Sequence, residues 1–125
     1  MKKYLLVFLL CFTSIVSFAQ ERKYYCETLC DPKLSGGYIV YLDMGDMQGE
    51  NFSFGKNDKS KPVDRNGKEV KFPSLASVLN WMSERGWKLE IKVEVHGAGE
   101  MTVYTFSKIT TKDKIKEGIN LKGDN

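Results

Sequence analysis

One histidine and three cysteines in 125 residues leave little material for metal binding or nucleophilic catalysis. A catalytic imidazole needs a nucleophile and an orienting acid within reach. His96 instead ends a strand-like alternation beside the Gly-rich turn "HGAGE", where a solvated turn histidine is the expectation. A structural zinc site takes about four Cys, His or carboxylate ligands, and so few sulfurs and imidazoles point to none. The "GxG" of "HGAGE" lacks the third glycine and the strand–helix setting of a phosphate-cradling loop. Neither a metal nor a cofactor is therefore expected. Charge of one sign is also scarce. The formal net charge is +3, and without Lys2 and Lys3 of the N-terminal leader it falls to about +1. A near-neutral surface gives no reason to expect nucleic acid or an acidic membrane as partner. Internal repeats and low-complexity tracts are missing, and no long hydrophobic run follows the first twenty residues, so the mature chain is expected to have no membrane span.

What is there begins with "MKKYLLVFLLCFTSIVSFAQ". A positive start, an apolar stretch from Leu5 to Val16 and the small-x-small end Ser17-Phe18-Ala19 read as a secretory signal peptide, cut between Ala19 and Gln20. The apolar run is short for a bilayer span of ~20 residues. Cys11 lies inside that run without a small residue before it, which argues against lipidation there. The chain is thus expected to be exported, to the periplasm or the extracellular space. Residues 20–110 are expected to form a single α+β domain, with 111–125 as a charged C-terminal tail.

Two cysteines remain after the leader, Cys26 and Cys30 in "YYCETLC". An exported chain permits a disulfide. In one extended strand, however, residues four apart lie ~13 Å from each other, and a bridge needs Cα atoms within ~7 Å. A Cys26–Cys30 bridge closes only if the strand breaks near Thr28-Leu29; otherwise both are partly buried thiols.

Along the chain, "KYYCETL" (23–29) reads as a strand, "DPKLSGG" (31–37) as a turn, and "YIVYLDM" (38–44) as a second strand with Tyr38, Val40, Leu42 and Met44 on one face. A short link makes these an antiparallel hairpin. "NFSF" (51–54) has the composition of a short edge strand, and Asn66-Gly67 suggests a small hairpin with a type I′ turn. "PSLASVLNWMSERG" (73–86) predicts a helix: Ser74 as N-cap, Leu75, Val78, Leu79 and Met82 as an apolar stripe, and Gly86 as the left-handed residue that ends it. Trp87 then stands where it can touch Met82. From Trp87 the period becomes two. Trp87, Leu89, Ile91, Val93 and Val95 alternate with Lys88, Glu90, Lys92, Glu94 and His96, which predicts one dry and one wet face. "MTVYTFSKI" (101–109) returns as a partner strand in which Val103 and Tyr104 compete for the inner face. The expected architecture is β-β-α-β-β with an extra small hairpin before the helix. This is an α+β two-layer sandwich, an antiparallel sheet of about four strands covered on one face by one helix.

"DRNGKEVKFPSLASVLNWMSERGWKLE" (64–90) resembles the signature of a family of small secreted proteins from Bacteroidetes-type bacteria. The pattern falls on Asp64, Gly67 and Lys68, then Phe72 and Ser74, then Leu79-Asn80-Trp81-Met82, and Gly86-Trp87. "KYYCE" (23–27) and "VYTFSK" (103–108) are similar to the same set. The helix–Gly-Trp–strand unit is more loosely similar to a widespread small bacterial domain of unknown function. The resemblance implies fold and export, and carries over no catalytic or ligand residue. Cys30 departs from the pattern, which speaks against a shared Cys26–Cys30 bridge.

For function, Trp87 at the helix–strand corner reads as core, whereas Trp81 lies about 110° from the centre of the helical stripe and is the candidate binding residue. "DMGDMQGEN" gathers Asp43, Asp46 and Glu50, whose spacing matches no EF-hand loop and suits a solvated acidic turn. The expectation is a non-catalytic exported binding or interaction module of the bacterial envelope, its partner a protein or envelope component, with contact at a sheet edge or at the flank near Trp81. Two alternatives stand beside it: a small hydrolase or lyase with converging carboxylates, and a secreted inhibitor-like protein. Oligomeric state is open.

Overall fold

The computed structural model describes residues 20–45, 56–97 and 99–124. The leader, Cys11, "NFSF", Asp46 and Glu50 lie outside the described residues. Within them are strands β1 (Arg22–Pro32), β2 (Tyr38–Asp43) and β3 (Pro62–Val63), helix α1 (Leu75–Glu84), and strands β4 (Lys88–Val95), β5 (Met101–Thr110) and β6 (Asn120–Leu121). The main sheet is antiparallel throughout, in the order β2-β1-β5-β4, and β3 pairs with β6 in a small second sheet. This is the expected α+β architecture.

The hairpin turn between β1 and β2 is tight: Lys33 N–H donates to Gly37 O at 2.9 Å, and Gly36 and Gly37 both take positive φ. Gly37 is also sterically required, because a Cβ there would stand 2.9 Å from the Phe72 carbonyl oxygen. Tyr38 N–H donates to that same oxygen at 2.8 Å, which lays the segment before the helix along the outer side of β2.

Helix α1 has the ends its sequence suggested. Ser74 Oγ accepts from Ser77 N–H, and Ser77 Oγ accepts in return from Ser74 N–H, a reciprocal cap. At the far end Gly86 (φ +85°) donates to Ser83 O and Trp87 N–H reaches back to Met82 O at 3.1 Å. These are the two bonds of a Schellman ending. They deliver Trp87 into the core, where it is 2% exposed beside Val78, Met82, Phe72, Phe106, Tyr104, Leu42, Val40, Cys26 and Cys30.

Three details differ from the sequence reading. First, the turn at 64–67 has Arg65 and Asn66 at its centre, closed by Gly67 N–H to Asp64 O at 3.0 Å, instead of Asn66-Gly67. The Asp64 carboxylate accepts from Asn66 N–H and Lys68 N–H and so fixes this register. Second, residues past 110 are not a loose tail. Ile119 and Leu121 are buried, β6 pairs with β3, and Lys122 N–H donates to Lys61 O at 2.9 Å. The few apolar side chains in that charged stretch are enough to dock it. Third, β4 does not keep one dry face. A register shift between Leu89 and Ile91 inserts Glu90 as a bulge, and a one-residue insertion reverses the facing of everything after it.

Candidate functional site: the sheet face away from the helix

The consequence of that bulge is read from the ladder. On the helix side β1 contributes Cys26, Thr28 and Cys30, opposite Phe106, Tyr104 and Thr102 of β5. Tyr104 thus wins the inner face over Val103. Leu89 pairs with Phe106 before the bulge, but Lys92 and Glu94 occupy that side after it. Ile91, Val93 and Val95 fall opposite Thr105, Val103 and Met101, on the other face. There a row of apolar residues crosses all four strands: Tyr41 on β2, Leu29 on β1, Val103 on β5 and Val93 on β4.

Burial grades along that row. Leu29, Tyr41 and Met101 form a small second cluster, with Ile39, Val95 and Val103 partly buried against it. Lys61 Nζ lies 5.8 Å above the Tyr41 ring, and Lys56 pairs with Asp31 at 2.9 Å, so the 56–61 segment borders the β2 side. Toward β4 cover runs out. Ile91 is 55% exposed, Val93 49%, Tyr25 55% and Ile109 71%. Helix α1 packs on the opposite face, through Val78 and Met82. One rim carries a polar cluster in which Ser107 Oγ donates to Glu90 Oε1 at 2.6 Å and Lys23 Nζ lies 3.2 Å from the same oxygen. The Ser107 hydrogen bond, then Lys23, hold the Glu90 carboxyl below its ordinary pKa. Lys23 Nζ also sits 5.5 Å over the Tyr25 ring.

The two edges of the sheet are unequal. The β2 edge is bordered by the bridge to Phe72 and by the turn at Asp58–Ser60. The β4 edge has no strand beside it among the described residues.

Trp81 stands on the flank of the helix, where the sequence expectation was a residue half-buried or exposed. Its ring is half-buried, with Phe72 edge-on at 5.8 Å and the Arg85 guanidinium 3.7 Å over its face. Arg85 Nη1 donates to Trp81 O at 2.9 Å and Nε to Gly118 O at 2.8 Å, so it ties the helix end to the C-terminal segment. Burial presses the guanidinium pKa below its ordinary value. Beside this stack is an open groove of about 790 Å³ lined by Val63, Val70 and Trp81 together with Asp64, Arg65, Glu84 and Arg85.

Of the remaining sequence candidates, Asp43 Oδ1 accepts from Gly45 N–H at 2.8 Å, a local turn. His96 is exposed just past β4. Asp43 and His96 belong to opposite edges of the sheet, three inter-strand spacings or ~14 Å apart before any offset along the strands. Neither lines the groove. Among the described residues no three His, Cys, Asp or Glu side chains gather as a metal site. Cys26 and Cys30 are both buried on one face of the unbroken β1, the extended geometry that keeps their Cα atoms too far apart to bridge. Desolvation pushes the Cys30 thiol up to about 12. No described helix is long and apolar enough to cross a membrane.

Sequence reasoning placed Ile91, Val93 and Val95 on the dry, core-facing side of their strand and made no assignment for Tyr25 or Ile109. The sequence alternation runs through Glu90 without a break, and no glycine or proline marks the bulge there. Comparison with known proteins finds no matching family model, no matching curated protein and no matching solved structure.

Proposed function

We propose that this protein is a non-catalytic, exported interaction module, and that it takes its partner on the bare sheet face along β4. The observation that carries the reading is the exposure of Ile91 and Val93 on an outer strand, on the same face as Tyr25 and Ile109. Exposed apolar side chains gathered on one face mark association surfaces, whereas scattered ones do not. The polar rim of Lys23, Glu90 and Ser107 around an apolar centre has the anatomy of a protein interface. The signal-peptide pattern supports work in the periplasm or outside the cell, and the partner proposed is an envelope component or a protein.

The placement of Asp43 and His96 at opposite edges of the sheet speaks against a hydrolase or lyase that would bring those two residues together. The test is capture from the native envelope fraction on immobilised protein. A component retained by the wild type and by Trp81→Ala, and lost with Val93→Lys, is the expected result. Loss with Trp81→Ala and retention with Val93→Lys would contradict it and move the contact surface to the groove.

A further inference from the structure

Taking β4 as the contact element, the geometry points to one occupant of its open edge: a second copy of this chain, its β4 paired antiparallel with the first across a two-fold axis at Val93. The inference rests on the reading above and deepens it.

Three observations converge. The edges are unequal: the β2 edge is bridged to Phe72 at Tyr38 and bordered by the Asp58–Ser60 turn, whereas the outward N–H and C=O groups of β4 have no ladder partner at any position among the described residues. Such an edge is a template for a further strand. The bulge and Lys88 guard only the first part of β4, because from Ile91 to Val95 the register against β5 is regular. Within that regular stretch the charges are self-complementary. Lys92 and Glu94 project on one side of the strand and already pair with each other at 3.3 Å, both exposed to water.

Register follows from face and charge. A shift by one residue would set apolar side chains opposite charged ones on the same face. Among registers that keep the faces matched, an axis at Lys92 would oppose Lys92 to its own copy, and an axis at Glu94 would do the same for Glu94. Like charges directly opposite are destabilising. An axis at Val93 sets Lys92 against Glu94 of the second copy twice over, Ile91 against Val95 twice, and Val93 against itself. An isologous contact of this type closes as a dimer. It joins two four-stranded sheets into one of eight strands and makes the two bare faces continuous at Ile91, Val93 and Val95.

Sedimentation velocity of the exported chain over a wide concentration range tests the assignment. The wild type is expected to shift reversibly from monomer to dimer. Lys92→Glu places like charges opposite at two symmetric positions and is expected to raise the dissociation constant about tenfold. The charge-swapped double variant Lys92→Glu/Glu94→Lys is expected to restore it, an outcome that a merely structural role for either side chain would not give. Val93→Lys is expected to abolish the dimer, with an unchanged far-ultraviolet circular dichroism spectrum confirming that the exposed substitution leaves the fold intact. A wild type that stays monomeric overturns the second-copy assignment, and if Val93→Lys still loses a captured envelope component, the contact surface stands with another occupant. A dimer indifferent to all three variants overturns the β4 pairing.

Discussion

Replacing Trp87 with alanine removes an indole that is 2% exposed, and the expected loss is ~3–5 kcal/mol in a denaturant titration. Its Nε1 has no acceptor among the described residues, so Trp87→Phe keeps most of the apolar burial and discards an unpaired donor. We expect that change to cost less than half as much. Trp81→Ala, which loses a half-buried ring stacked by Arg85 and met edge-on by Phe72, should cost about 1–2 kcal/mol. Equal losses at Trp81 and Trp87 would reject the division between corner and flank. Cys30 offers a chemical check. With its thiol pushed up to about 12 by burial, it should resist alkylation near neutral pH and react only after denaturant is added, as mass spectrometry would detect.

Among elements, the helix was legible from its residues because both its signals are local. Ser74 and Gly86 mark the ends, and Val78 and Met82 mark the buried stripe. The packing of the C-terminal segment was not legible. Its partners are distant in sequence, Pro62 for Leu121 and Val63 for Asn120, and no periodicity announces a two-residue strand. An ion-pair group adds to this closure. Lys61 and Lys122 each approach both Asp58 and Glu69, at 2.9–3.4 Å. Hydrogen bonds from Lys61 and Lys122 hold the Asp58 carboxyl below its ordinary pKa; Glu69, against some desolvation, is held down by the same two lysines. Carboxyls with depressed folded-state values stabilise the protein above their unfolded pKa, and that contribution disappears as pH falls through the folded values. Thermal melts should therefore show stability declining below about pH 4, with the decline reduced in Lys122→Met. A Lys122→Met protein with the same acid profile as wild type would remove this group from the account.

At the scale of the whole molecule, one inserted residue decides which surface is left open. The alternation from Trp87 to Val95 gave the strand and its length correctly, since Lys88–Val95 is extended. It gave the wrong facing, because the reversal at Glu90 is set by pairing with β5 and not by any residue preference of β4 itself. The candidate contact surface was therefore hidden in the sequence as an ordinary core strand. Its location on an outer strand also depends on the sheet order, which no local pattern encodes.

Solvent paramagnetic relaxation of methyl groups, measured in dilute solution with a soluble gadolinium chelate, probes this directly. The account predicts strong relaxation of the Ile91 and Val93 methyls and near silence from Val78 and Met82. If Ile91 and Val93 prove as shielded as Val78, the strand runs without its bulge beneath the helix and the open face does not exist.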